Sequence, residues 1–421
     1  MDATVVIFIL IYLLTILISA MALTPLSIAA LTGALLTAWF GIQYGVFTYE
    51  EALSFVDMRL LILLIGTMVV VEVAKRSGLF RVLALYAIKF SGGNPAKLFV
   101  SICVVSAFVS MFLSDPMAML LMAAATVTIA KFLNYDPVPY FLSGTIMINL
   151  GGTSTLIGSV SNMIIGVEAS LSFTDFISYL ALCEIALWAI TILALYILFK
   201  PRLGEKKQLP KYKPLESITD KTLFYKSAFI LVLLVFLFLT LENFGVGPEG
   251  VALGCAILAL VLSKLNPAEI FRELDWETVF FIAGFMFIVG GLEQTQILND
   301  ISTQLFQMAG GSPFNATLMT LWFSGLASTV VSNLAIALTF APIISSSGLK
   351  SPTVWSALVL GTNLGGATTP FSGSVPMMAV GALKREGISV RFGDFAKVGL
   401  ITTILQLSFS SLYLIVRFGL I

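Results

Sequence analysis

The sequence predicts an all-α membrane protein with ten crossings, in two inverted five-helix repeats that each contain a re-entrant hairpin and a broken helix. Of its 421 residues, 58% are hydrophobic and 11% charged, and the mean hydropathy is +1.01; ordinary soluble globular proteins are excluded. An apolar stretch interrupted by Asp115 returns about 218 residues later, with Asn333 at the matching position. An odd number of crossings per half requires the second repeat to begin from the opposite face of the membrane.

The first repeat, residues 1–200, begins with an apolar span from Thr4 to Leu23. Because Asp2 precedes this span and no basic segment does, we expect a membrane helix here, not a cleavable signal peptide. An amphipathic stretch, Leu79–Phe90, interrupts the later spans. Those spans are Ser27–Val46, Met58–Lys75, Pro137–Val167 and Thr174–Phe199.

A hairpin is predicted between Lys97 and Lys131. The 33 residues between these lysines carry one charge, Asp115, whereas one crossing needs about 20 apolar residues and two crossings need about 40. Pro116 favours an extended conformation at the preceding residue, so two half-helices are expected to meet with Ser114 and Asp115 at the tip. The second hairpin, 324–344, places Ser332 and Asn333 at its tip.

The second repeat, residues 223–421, follows a basic linker, 201–222, which we expect to be cytoplasmic. With this orientation, 20 of the 23 Lys and Arg residues fall on the cytoplasmic side and both termini lie outside. An amphipathic stretch, Ile297–Met308, again precedes the hairpin. The spans are Leu223–Leu241, Val246–Leu265, Trp276–Leu292, Ser351–Leu383 and Phe395–Arg417. The expected location is the plasma (inner) membrane.

Two polar, glycine-rich segments inside long apolar runs, 148–166 and 362–381, indicate spans whose middle unwinds. Unwound backbone at membrane depth is tolerated where it lines a cavity or is buried in protein. Together with the hairpin tips, these segments define one predicted site for an ion or substrate. Its candidate residues are Ser114, Asp115, Asn149, Gly151, Gly152, Thr153, Ser154, Thr155, Ser159, Asn162, Ser332, Asn333, Asn363, Gly365, Gly366, Thr368, Thr369 and Ser374.

Such a site offers carbonyls, hydroxyls and amides to a hard cation such as sodium, and half-helix N-termini to an anion. The alternative is that the small residues only allow close helix packing. Asp115, a charge at the expected membrane centre, is a candidate cation ligand or proton carrier; alternatively, it caps a half-helix. Glu184 and Glu72 are candidates for a relay, or are partners of polar helix faces.

Composition also limits the chemistry. The chain has no histidine, and its three cysteines, Cys103, Cys183 and Cys255, have no paired spacing, so neither a disulfide nor a metal framework is expected. We expect no cofactor apart from a bound sodium ion.

With zero net charge, no nucleic-acid partner is expected; the partners are the lipid bilayer and a small inorganic or organic ion. A passive channel is a further alternative to a carrier. An intramembrane aspartyl protease would need a second deep aspartate, so an enzyme is not expected.

Four segments resemble the ion transporter superfamily, in its branch of arsenite permeases, NhaD-type sodium/proton antiporters and pink-eyed-dilution proteins with a citrate-transporter-like domain. They are "FLSDPMAMLLM" at Phe112, "GGTSTLIGSVSN" at Gly151, "TNLGGATTPFSGS" at Thr362 and "ALKREGISVRFGDFAKVG" at Ala382. The resemblance implies a scaffold part, a moving transport part and a homodimer.

For function, the resemblance implies efflux by alternating access, coupled to a proton or sodium gradient. Dicarboxylate symporters of the same superfamily carry Ser-Asn-Thr at both hairpin tips, whereas this chain has Ser114-Asp115-Pro116 and Ser332-Asn333-Leu334. Sodium-coupled symport of a carboxylate or another small anion is therefore the alternative. Relatives often read "GDPPN" where this chain reads "GSVSN" from Gly158. One acidic group that the resemblance implies is therefore missing here.

Overall fold

The computed structural model describes residues 3–21, 23–113, 115–207, 213–348, 350–370, 372–385, 387–388 and 390–419, and these residues contain helices and loops without a β-strand. The first ten helices are α1 (Ala3–Ala20), α2 (Leu26–Gln43), α3 (Tyr49–Leu53), α4 (Met58–Arg76), α5 (Leu79–Ser91), α6 (Pro95–Ser110), α7 (Asp115–Phe132), α8 (Pro137–Gly152), α9 (Val160–Ala169) and α10 (Phe173–Phe199). The next ten are α11 (Lys221–Thr240), α12 (Pro248–Ser263), α13 (Pro267–Arg272), α14 (Trp276–Gln294), α15 (Ile297–Met308), α16 (Pro313–Ser328), α17 (Asn333–Ser345), α18 (Pro352–Gly365), α19 (Ser374–Arg385) and α20 (Phe392–Phe418). Each helix of the first ten thus has a counterpart ten places later.

Local sequence sets where the central helices begin. The helices α6, α8, α16 and α18 all start with a proline at their first position, where the missing N–H costs nothing. Side chains of the preceding residues cap three of them: Asn94 accepts from Ala96 N, Asp136 from Val138 N and Ser351 from Val354 N. The short helices α3 and α13 were not predicted.

Both hairpins turn where the sequence places their tips. The first turn follows Ser110 and ends before Asp115, and the second follows Ser328 and ends before Asn333. Asp115 lies in the first turn of α7 and is not extended, because a proline is tolerated in the first helical turn. The arms have 16, 18, 16 and 13 residues, or about 20–27 Å at 1.5 Å per residue. How deep the tips lie in a bilayer stays a prediction.

Both glycine-rich spans are interrupted. The first pauses between Gly152 and Val160, and the second between Gly365 and Ser374. We call these segments, 153–159 and 366–373, the first and second break. The helices before them, α8 and α18, are the most enclosed in the protein, with every residue from 139 to 152 and from 353 to 365 buried.

Packing between helices follows the same correspondence. The helix α2 packs on α14 and α12 on α4; α6 packs on α8 and α16 on α18; α9 packs on α17 and α19 on α7. The pattern fails in several places. The helix α5 packs on α6, whereas the packing of α15 on α16 is at most marginal among the described residues. Likewise, α9 packs on α4 and α17 on α14, whereas the counterpart packing of α19 on α14 and of α7 on α4 is at most marginal there.

The outer helices present large apolar side chains to the surroundings. Leu35, Val232, Val261 and Val416, among others, are more than half exposed, as expected for surfaces that face lipid. Within the described ranges, six helical segments are long and apolar enough to cross a membrane: Leu26–Gln43, Tyr49–Arg76, Phe173–Arg202, Lys221–Thr240, Trp276–Gln294 and Phe392–Phe418. Five shorter apolar helices accompany them. The count of ten crossings stays a prediction.

Candidate functional site

Three buried asparagines join the two broken helices. Asn363 on α18 donates from Nδ2 to Asn162 Oδ1 (2.7 Å) and accepts at Oδ1 from the Ser161 hydroxyl (3.0 Å). Its main-chain oxygen accepts from Asn149 Nδ2. We call these four residues the asparagine cluster. They are at most 3% exposed, so the two halves of the chain meet here through polar groups that must be paired.

Each break is also tied to the hairpin of its own half by one threonine. Thr155 in the first break donates to the carbonyl of Met111 (2.7 Å), at the tip of the first hairpin. Thr369 in the second break donates to the carbonyl of Thr329 (3.0 Å), at the tip of the second. Each break therefore lies against the hairpin turn of its own half.

Side chains stabilise the carbonyls that the breaks release from helical bonding. Asn162 donates to Gly152 O (2.9 Å) and Thr155 O (2.7 Å). In the second break, the single hydroxyl proton of Ser372 is shared between Gly366 O (3.0 Å) and Thr369 O (2.8 Å). A carbonyl has two lone pairs. Thr155 O and Thr369 O also accept from the backbone N–H of Gly158 (3.3 Å) and Ser372 (3.2 Å), whereas Gly152 O and Gly366 O can each accept another donor or coordinate a cation.

The glycine pairs have divided roles. A Cβ on Gly151 would lie 2.1 Å from Ala107 O, and one on Gly365 would lie 2.1 Å from Gly325 O. These two glycines allow α8 and α18 to cross the first arms of the hairpins closely. They therefore fit the alternative in which small residues only permit close helix packing. A Cβ on Gly366 would instead lie 3.2 Å from Asn149 Oδ1 and 3.7 Å from Asn333 Cβ, so Gly366 belongs to the site.

Replacing Gly151 or Gly365 by alanine is expected to lower the thermal stability of the purified protein. The added methyl group would overlap a backbone carbonyl, and such overpacking typically costs about 1–3 kcal/mol. Gly254→Ala in α12 is the matched control, because nothing lies within 4 Å of its Cβ position and alanine favours a helix by about 1 kcal/mol. Equal melting temperatures for Gly151→Ala and Gly254→Ala would contradict the close crossing.

The other candidates lie in or beside the breaks. Thr153 donates to Asn149 O (3.3 Å), and Thr368 donates to Gly365 O (2.8 Å) and bonds with Thr403 (2.7 Å). Ser159 bonds with Ser161 (2.9 Å). The buried Ser154 hydroxyl has no hydrogen bond within the described part of the chain.

At the hairpin tips, Asn333 is buried and Ser332 partly exposed. Ser114 lies outside the described residues, and so do the side chains of Asp115 and Ser374. Sequence reasoning missed Ser161, Ser372 and Thr403. The "GSVSN" and "FSGS" segments contain the first two, but hydroxyls are so frequent there that spacing alone does not single them out.

The carboxylate of Glu72 is paired with basic side chains. It is 1% exposed and forms ion pairs with Lys75 (2.6 Å) and Arg76 (3.2 Å), and Arg76 also pairs with Glu269 on α13 (3.1 Å). The two cationic partners account for the burial of this carboxylate. A role in a proton relay is not needed to explain it. The other relay candidate, Glu184, lies in α10 and is not a member of the asparagine cluster.

An acidic cavity of about 360 Å³ lies where α9 and α17 pack on α4 and α14. Asp57, Glu168 and Glu293 line it, together with Gln294 and apolar residues such as Leu338. The Asp57 carboxylate forms an ion pair with Arg59 (2.6 Å), so the negative charge of this concave surface comes mainly from Glu168 and Glu293, and such a surface concentrates cations.

Known proteins resemble this chain along most of its length. A family model described as "Citrate transporter" matches residues 6–355. A 46 kDa membrane protein of Mycobacterium leprae is 27% identical, over 93% of this chain and 94% of its own. An uncharacterized transporter of Mycobacterium tuberculosis is 28% identical, over 86% and 87%. The YdaH transporter of Alcanivorax borkumensis superposes with a TM-score of 0.65 over 99% of this chain and 98% of its own, at 16% identity, and thus has a similar fold.

Proposed function

The chain belongs to the citrate transporter family and is a multi-pass membrane transporter, and on that premise we propose that it is a secondary carrier that expels a small ion in exchange for protons or sodium. Its membership in the ion transporter superfamily confirms the resemblance found in the sequence. The observation that carries the proposal is the asparagine cluster, in which both broken helices meet beside the carbonyls of Gly152 and Gly366, which have acceptor capacity left. Such oxygens suit a hard cation.

Alternating access is supported by one of the departures from corresponding packing. The helices α9 and α17 pack on α4 and α14, while α19 and α7 do so at most marginally among the described residues. If the halves are inverted repeats, a second state exists in which α7 packs on α4 and α19 on α14. With the orientation predicted from the basic residues, the present state is open towards the cytoplasm.

Coupling to a cation is supported by charge. The described residues of the two breaks contain no Lys or Arg, and the cavity beside α9 and α17 is acidic. An anion would have to pass these carboxylates and bind without a fixed positive charge. We propose that Asp115 supplies the titratable or cation-binding carboxylate at the first hairpin tip.

A second candidate is sodium-coupled uptake of a carboxylate. The description of the family as citrate transporters favours this candidate. In this case, helix N-termini at the breaks would bind the carboxylate and the cluster would bind sodium.

A proteoliposome assay separates the two candidates. The purified protein is reconstituted with an internal pH dye, a proton gradient is imposed, and sodium, lithium, arsenite or citrate is added separately. Proton movement triggered by one of them is the expected result, and it identifies the cargo class. Silence to all four, with labelled citrate accumulating only when sodium is outside, would replace antiport by symport. Saturation with cargo concentration excludes a passive channel.

A further inference from the structure

A second carboxyl group lies deep in the helix bundle without a partner. Glu184 is 2% exposed, and neither of its carboxylate oxygens has a hydrogen bond in the described part of the structure. The indole of Trp188, one turn further along α10, lies beside the carboxyl group but forms no hydrogen bond of normal geometry with it. An ionised carboxylate in such a place has a high free-energy cost. Packing alone does not explain why a carboxyl group lies here.

Polar groups lie on both sides of Glu184 along the interface of α10 with α20. On one side of it, Tyr413 donates from its hydroxyl to Tyr179 O (2.8 Å). On the other, Gln406 donates from Nε2 to Thr191 Oγ1 (3.0 Å). Because the two helices run antiparallel, Glu184 lies between these two bonds.

One face of α20 continues this polar interface to the second break. Gly399, Thr403, Gln406 and Ser410 follow at helical spacing, so they form a single stripe. The Thr403 hydroxyl bonds with Thr368 Oγ1 (2.7 Å) and also lies within hydrogen-bonding distance of Leu364 O (3.1 Å). A Cβ on Gly399 would lie 2.2 Å from Thr368 O, so α20 lies directly against the break. At the other end of the stripe, the Ser410 hydroxyl lies beside the thiol of Cys183, the neighbour of Glu184, but forms no hydrogen bond of normal geometry with it.

Charged groups near Glu184 do not account for its burial. The helices packed on α10 are α6, α8, α11, α18 and α20, and each charged residue on them lies within the first two turns or the last turn: Lys97, Lys221, Lys226, Asp394, Lys397 and Arg417. Titratable uncharged groups on these helices are Cys103, Tyr140, Tyr225 and Tyr413, and those on α10 itself are Tyr179, Cys183 and Tyr196. Asp175 lies in the first turn of α10. Glu184 therefore faces neutral groups in the middle of the bundle.

We propose that Glu184 is a proton-carrying residue of this transporter and that the polar stripe of α20 connects it with the second break. The proposal rests on the proposed function. In the present state the carboxyl group holds the proton. When a cation binds at the breaks, the Glu184 O–H bond breaks and the proton leaves along the stripe to water, so one positive charge replaces another inside the membrane. Departure of the cation reverses the transfer.

Infrared titration of the purified protein tests this without any cargo. The protonated carboxyl of Glu184 should give a carbonyl band that is absent in Glu184→Gln and that disappears as the pH is raised. Glu216→Gln, in an exposed loop, is the matched control and should leave the band unchanged. A band that persists at every pH at which the protein stays folded would identify a permanently neutral structural residue and overturn the proposal.

Transport provides the second measurement. Glu184→Gln, which has the size of the protonated side chain, should lower proton-coupled transport by about a hundredfold or more, the usual scale for losing a positioned proton-transfer group, while cargo binding persists. Gln406→Leu should slow proton release after a pH jump and keep the carbonyl band. Coupling as in the wild type for Glu184→Gln would refute the proposal. If the wild type moves none of the ions tested, the proposed function fails, and the infrared titration alone decides whether Glu184 exchanges its proton.

Discussion

Replacing Asp115 by asparagine is expected to abolish coupled transport, with a loss of about a hundredfold or more if Asp115 transfers a proton, and to leave the fold intact. Asp115 is the one charge between Lys97 and Lys131, and it begins α7. The turn before it is tied to the first break through the bond from Thr155 to Met111 O. The substitution removes the charge and the titratable proton but keeps the size of the side chain.

The same variant separates transport from a capping role, because asparagine caps a helix about as well as aspartate. If Asp115 only stabilised the start of α7, Asp115→Asn would transport normally. Asp394→Asn, an exposed position at the start of α20, is the control for the chemical change. Initial rates in proteoliposomes and melting temperatures of all three proteins are the measurements. Wild-type rates in Asp115→Asn would remove this residue from the mechanism.

Replacing Asn363 by alanine is expected to cost both stability and transport. Its side chain forms hydrogen bonds with Asn162, Ser161 and the carbonyl of Val359. Each buried group left unpaired costs about 1–3 kcal/mol, and the two broken helices lose two of the three hydrogen bonds of the asparagine cluster, keeping the bond from Asn149 to Asn363 O. We expect a lower melting temperature and a loss of transport of tenfold or more, since about 1.4 kcal/mol corresponds to a factor of ten.

A double-mutant cycle tests whether the cluster acts as a unit. Asn162→Ala and Asn363→Ala should be non-additive, because each removes the bond between the two side chains. Asn299→Ala, at an exposed residue of α15, is the control for the loss of an amide. Additive changes in the free energy of unfolding, or an Asn363→Ala variant with wild-type stability and transport, would show that the cluster does not join the helices in the folded carrier.

The sequence predicts local features of this protein well. The amphipathic stretch 297–308 coincides with α15, and the tips of both hairpins and both breaks lie where Pro116, Asn333 and the glycine pairs indicate. These signals are local, because proline and glycine act on the backbone at their own position. The short helices α3 and α13 contain too few residues for a periodic pattern.

The site was predicted in part, for a physical reason. Asn149, Asn162 and Asn363 are recognisable because a buried amide needs partners, and the structure brings them together. Which partner each one takes depends on the rotation of two helices from distant parts of the chain. That is why Ser161 was missed, and why a sequence does not show that Gly365 accommodates a helix crossing while Gly366 borders the asparagine cluster.

The ion pairs of Glu72 have a kinetic consequence. On α14, the positions that correspond to Glu72, Lys75 and Arg76 are Gly290, Glu293 and Gln294, so the two ends of the carrier match in architecture and differ in charge. For the alternating access that we propose, this difference in charge predicts unequal free energies of the two states, and each 1.4 kcal/mol of difference changes their ratio tenfold. We therefore expect the empty carrier to spend most of its time facing one compartment, and its return to limit the rate of turnover.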